Sequence, residues 1–87
     1  MIDLSNVEVV KGVQSNLHAV FDSAQGQEVM RFLETACGWY ESIFDPINKD
    51  IILLNAGKRE VIATIKTLLK EKPESIVAMV KAREAQT

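Results

Sequence analysis

One histidine, one cysteine and the run Gly57-Lys58-Arg59 are the residues of this 87-residue chain best equipped for chemistry. A thiol–imidazole nucleophile would need Cys37 and His18 to meet, with a third group to orient the ring. Nothing in the sequence marks that third group. Cys37 reads as a small core residue at a helix end, and His18 as a half-exposed surface histidine. A metal centre needs several converging His, Cys or carboxylate ligands. No spacing here brings either residue near a second ligand. Gly57-Lys58 also fails as a phosphate loop. Ile52 stands where that motif requires its first glycine, and Arg59 where it requires Ser or Thr. There is no glycine-rich dinucleotide fingerprint. The sequence therefore marks no catalytic, cofactor-binding or metal-binding residue, and a non-enzymatic protein is expected.

The basic residues raise a different possibility. On a straight helix, Arg59, Lys66 and Lys70 are seven and four residues apart and share one side, with Lys58 beside them. A DNA-binding regulator or packaging adaptor could use them. Against this stand a pI of 5.3 and the interruptions at Glu60 and Glu71. Charge is unevenly spread. Residues 1–45 carry a net charge of −5 and residues 46–87 a net charge of +3. Such polarity can join two halves of one fold or neighbouring copies in an assembly. The acidic half, with Asp22, Glu28 and Glu34, could alternatively present a decoy surface to a host protein.

The elements that position these residues are read from periodicity and punctuation. Ser5-Asn6-Val7-Glu8 has the pattern of a capping box, so a helix is predicted over about 6–20. Val10, Val13, Leu17 and Val20 form its stripe, widened by Val9 and Phe21. Asp22 or Ser23 can cap a second helix over 24–37. Its predicted inner face holds Val29, Phe32, Leu33, Ala36 and Cys37, and Gly38 is its stop. Trp39, Tyr40 and Phe44 then close one end of the core or form an aromatic binding surface. Asp45-Pro46 marks a boundary.

Asn48 or Asp50 can cap a third helix. Its seam runs Ile51, Leu54, Lys58, Val61, Ile65, Leu68. A strand at Ile51–Leu54 is the alternative. A lysine on the seam and a glycine inside a helix are both unfavourable, and they occur side by side. A bend or break near 55–58 is therefore predicted, with Arg59 bonding carbonyls or carboxylates at the corner. Pro73 opens a last helix with Ile76, Val77 and Val80 inward, and residues 84–87 are expected to fray. The chain reads as one helical domain, 1–87. It is an all-α bundle of three to four short helices. The lone cysteine precludes an internal disulfide. The amino terminus lacks the pattern of a signal peptide. No apolar run approaches the about 20 residues of a membrane helix.

Phe21-x4-Gly26-x2-Val29-x3-Leu33, then Asp45-Pro46, then Gly57-x-Arg59-x-Val61 with Ile65, Leu68 and Leu69 following, resembles a group of small tailed-bacteriophage proteins. Such proteins are encoded among head and packaging genes, and their roles are mostly unassigned. The pattern spans residues 21–69. The resemblance implies a phage protein of the bacterial host cytoplasm or virion. It singles out Gly26, Gly57 and Arg59 as structural positions and carries over no catalytic residue. Together these readings lead to an expectation: a protein–protein interaction module serving structure, assembly or packaging, which self-associates or docks on a larger phage protein. Its expected contact residues are Trp39, Tyr40, Phe44, Lys58, Arg59, Lys66 and Lys70. A homo-oligomer is expected, with nucleic acid as a secondary contact only and no membrane contact.

Overall fold

Three side-chain caps and one proline start the helices of this chain, and their placement explains the element boundaries. The computed structural model describes residues 2–86. It contains α1 (Val7–Phe21), α2 (Ala24–Ala36), α3 (Lys49–Lys70) and α4 (Pro73–Ala85). Among the described residues there is no strand, so Ile51–Leu54 is helical and the fold is all-α. The cap of α1 is Asn6, not Ser5. The Asn6 side-chain oxygen accepts from the Glu8 and Val9 amides at 2.9 and 3.4 Å, while Ser5 is taken up by Asp3. Ser23 caps α2 by accepting from the Gly26 amide at 2.9 Å. Asn48 caps α3 by accepting from the Asp50 and Ile51 amides. Pro73 occupies the first position of α4, where its missing N–H is no loss. Glu84 and Ala85, expected to fray, remain helical in α4; Thr87 lies outside the described residues.

The end of α2 reverses the chain. Gly38 takes φ +65°, the left-handed conformation that glycine adopts without steric cost. The Gly38 amide donates to the Thr35 carbonyl at 3.2 Å and the Trp39 amide to the Glu34 carbonyl at 2.8 Å. That pair of bonds is a Schellman turn. It folds the chain back so that Trp39 and Tyr40 return toward the last turn of α2.

α1 is the central element and packs against each of the other three. Val10, fully buried, meets Leu68 of α3 and Ile76 of α4, with Leu4, Val13, Leu17, Val77 and Val80 around them. Gln14 sits beside this cluster and is buried. Its amide donates to the carbonyls of Leu68 at 2.9 Å and Glu71 at 2.8 Å. The last carbonyls of a helix have no partner within it, so Gln14 satisfies the end of α3 from α1. Leaving such carbonyls buried and unpaired costs about 1–3 kcal/mol each.

Three expectations are corrected. First, of the bend or break expected near 55–58, the break is absent: α3 runs as one helix through Gly57. A Cβ on Gly57 would meet nothing within 4 Å, so no close contact requires glycine there. Second, the seam that carries Lys58 does not face the core at that end. Leu54 is 57% exposed, and Val61 and Lys58 are also exposed. Only the seam's later part, ending at Leu68, is covered. A lysine on a solvent-facing seam costs nothing, which removes the reason for a break. Third, the predicted inner face of α2 is largely outside. Phe32 is 68% exposed, and Val29 and Ala36 are exposed, whereas Gly26 and Glu34 turn inward. The near-contact of Gly26 with the end of α1 sets this roll. Val20, at the end of the α1 stripe, is exposed as well.

The result is a flat, open body measuring 44 × 39 × 20 Å, with a radius of gyration of 14.9 Å. A compact chain of this length would have about 12 Å. Among the described residues only Val10, Ile62, Leu68 and Ile76 are buried apolar side chains.

Candidate functional site

The inward roll of α2 carries a carboxylate into the protein. Glu34 is 4% exposed, and a buried charge is costly unless paired. Two donors meet one of its oxygens, Oε2. The Lys66 ammonium of α3 lies at 2.9 Å and the Tyr40 hydroxyl donates from 2.9 Å. The Schellman turn after α2 is what returns Tyr40 to this position. It also sets the Trp39 ring against α3, where two cations lie over it. Lys66 Nζ is 4.8 Å and the Arg59 guanidinium carbon 5.3 Å from the ring centre. Both are within the range of cation–π attraction. Glu34 offsets the repulsion between these two like charges.

Lys66, by its hydrogen bond, and then Tyr40 hold the Glu34 carboxyl below the usual carboxylate range. Burial opposes this but does not win. The same bond pushes the Tyr40 hydroxyl above its ordinary value, since ionising it would place two anions together. Both shifts link folding to pH. Glu34 contributes stability that is present above the ordinary carboxylate value and is lost as pH falls through its lowered one. Tyr40 contributes stability that is present below the ordinary phenol value and lost as pH rises through its raised one. The Glu34 carboxylate is thus the ion-pair partner of Lys66.

Arg59 is half-buried, and its Nε is buried without a hydrogen-bond partner. With Trp39, Ile43, Ala56, Glu60 and Ala63 it lines an open hollow of about 260 Å³. The Glu34–Lys66 pair also borders a cleft of about 450 Å³ between α1, α2 and α3, lined by Phe21, Met30 and Leu69 among others.

Of the expected contact residues, the structure gathers Trp39, Tyr40, Arg59 and Lys66 into one cluster. Phe44, 70% exposed, stands apart on the connecting segment. Lys70 is exposed near the end of α3, and Lys58 borders a small polar hollow with Glu41 and Ser42. Arg59 and Lys66 are thus engaged within the chain and do not form a free basic stripe. Glu34, assigned by sequence to an acidic outer surface, is inside. His18 is exposed and pairs with Asp22 at 3.0 Å. No group of three or more His, Cys, Asp or Glu among the described residues could hold a metal ion, and no helix among them is long and apolar enough to cross a membrane.

A family model described as Bbp19-like phage protein matches residues 17–81. The chain belongs to this family. The matched span takes in α2, α3, the aromatic turn and most of α4, and so contains the whole Glu34–Lys66–Trp39 cluster. It also contains residues 21–69, on which the resemblance to small phage proteins rests. It begins after Val10 and Gln14. No curated protein and no solved structure matches the chain.

Proposed function

We propose that this phage protein is a non-enzymatic interaction module that self-associates and serves the structure or assembly of the phage particle, in the host cytoplasm or the virion. One observation carries the reading: a flat chain leaves Phe32, Phe44, Ile47, Leu53, Leu54 and Val61 on its surface while burying only four apolar side chains among its described residues. Exposed apolar area on this scale, beside so small a core, marks a surface that a partner covers. The Glu34–Lys66–Trp39 cluster fits a structural role in this reading. It fixes α2, the aromatic turn and α3 to one another, and so holds the open apolar faces in a fixed relation. Docking on a larger phage protein would use the same faces. The DNA-adaptor reading loses two of its three cations to Trp39 and Glu34. The decoy reading loses Glu34 to the interior.

The absolute mass in solution tests the proposal, by light scattering after size-exclusion chromatography at low and high salt. A defined multimer of the 9.7 kDa chain at both salts is expected, because the covering contacts are apolar. A monomer at all accessible concentrations would overturn self-association.

A further inference from the structure

The α3 seam is covered at one end and open at the other. Leu68 is buried by α1 and α4, yet Leu54 and Val61 face solvent on the same helix. Asp50, Leu54 and Lys58 stand four residues apart and so form one ridge of the helix surface, about 12 Å long at 1.5 Å per residue. All three are exposed. Neither Asp50 nor Lys58 has an ion-pair partner among the described residues. Ile51 and Val61 lie on either side of the ridge, and Gly57 beside Leu54 presents bare backbone.

This ridge has a negative end, an apolar middle and a positive end. Such a sequence is complementary to itself under a two-fold axis through its midpoint. We infer that a second copy of this chain covers the open half of α3, with the two ridges crossing antiparallel at Leu54, so that Asp50 of each chain meets Lys58 of the other. The opposite sense of pairing would set Asp50 on Asp50 and Lys58 on Lys58, which like-charge repulsion disfavours. The isologous arrangement is the one closed dimers use. Gly57 then has a role that the single chain does not show: without a side chain it lets the second helix approach closely. Ile47, 93% exposed just before the Asn48 cap, extends the apolar area at the end of the ridge.

This inference rests on the interaction-module reading, and its test separates the two. Leu54→Cys in a Cys37→Ser background, treated with oxidised glutathione, should give a covalent dimer in high yield. Helices packed about 8–10 Å apart bring facing Cα atoms into disulfide range at the crossing. Gln25→Cys in the same background, an exposed polar site on α2, should not. Asp50→Lys and Lys58→Asp should each weaken association roughly tenfold, and the double exchange should restore it to within about threefold. Restoration excludes a mere folding defect, because both single changes persist in the double variant. A multimeric wild type with no cross-link at position 54 and no restoration would overturn this pairing and leave the broader reading standing. A monomeric wild type would overturn both.

Discussion

Gly26→Ala is expected to destabilise the protein by about 3 kcal/mol or more, lowering the melting temperature by at least about 12 °C. A Cβ at this position would lie 1.8 Å from the Val20 carbonyl oxygen and 2.7 Å from the Phe21 Cα. Both are backbone atoms of α1, so no side-chain rotation can relieve the clash. Either the turn between α1 and α2 opens or α2 rolls away. Rolling α2 would also pull Glu34 from Lys66, coupling the turn to the ion-pair cluster. Alanine's better helix propensity, worth at most about 1 kcal/mol, does not compensate. Gly12→Ala is the matched control, since a Cβ there meets nothing within 4 Å; it should raise stability slightly. Thermal unfolding followed by circular dichroism reads both. A Gly26→Ala variant that melts with the wild type would contradict the account of how α2 is set.

Lys66→Met is the second large effect. It leaves Glu34 buried without its ion-pair partner, retaining the Tyr40 hydrogen bond and the weaker pull of the Arg31 charge. Breaking a buried pair costs about 3–5 kcal/mol. The lower end applies, because the Lys66 side chain is 40% exposed and its charge is partly screened. The double variant Glu34→Met, Lys66→Met should recover most of the loss, since it leaves no orphaned charge. Acidity gives an independent readout. In the wild type, stability falls as pH drops through the lowered Glu34 value, because protonation gives up the ion pair. In Lys66→Met, protonation relieves a buried unpaired anion instead. The gap between the two proteins should therefore narrow from about pH 7 to about pH 3. Denaturant midpoints at both values measure it, and a gap that stays constant would show that Glu34 and Lys66 are not the coupled pair.

The helices themselves were legible because capping and periodicity are local. Ser23, Asn48, Gly38 and Pro73 each acts within a few residues of its own position, and each is where the sequence places it or among the candidates it offers. The roll of the helices was not legible. Val29 and Phe32 were expected inside because an apolar stripe normally faces a core. A single chain this flat has no core on that side, and a stripe awaiting another surface looks the same in sequence. The same ambiguity produced the expected break at Gly57: Lys58 is a defect only if its seam is buried. Glu34 and Gln14 were missed for a further reason. Their partners, Lys66 at one and the Leu68 and Glu71 carbonyls at the other, are over thirty and over fifty residues away. The nearest local signal for Glu34 was Gly38, which returns Trp39 and Tyr40 to the helix end that carries it.

Stability that is incomplete in one chain and completed by another is the central claim, and it makes the melting temperature depend on protein concentration. The direct measurement is thermal unfolding of the full chain across about three decades of concentration at fixed pH and salt. A melting temperature that climbs steadily with concentration is expected, with a Leu54→Asp variant that melts lower and shows no such climb. A wild-type melting temperature that stays the same from the most dilute to the most concentrated sample would mean that the small Val10–Leu68–Ile76 core suffices alone, and would contradict it.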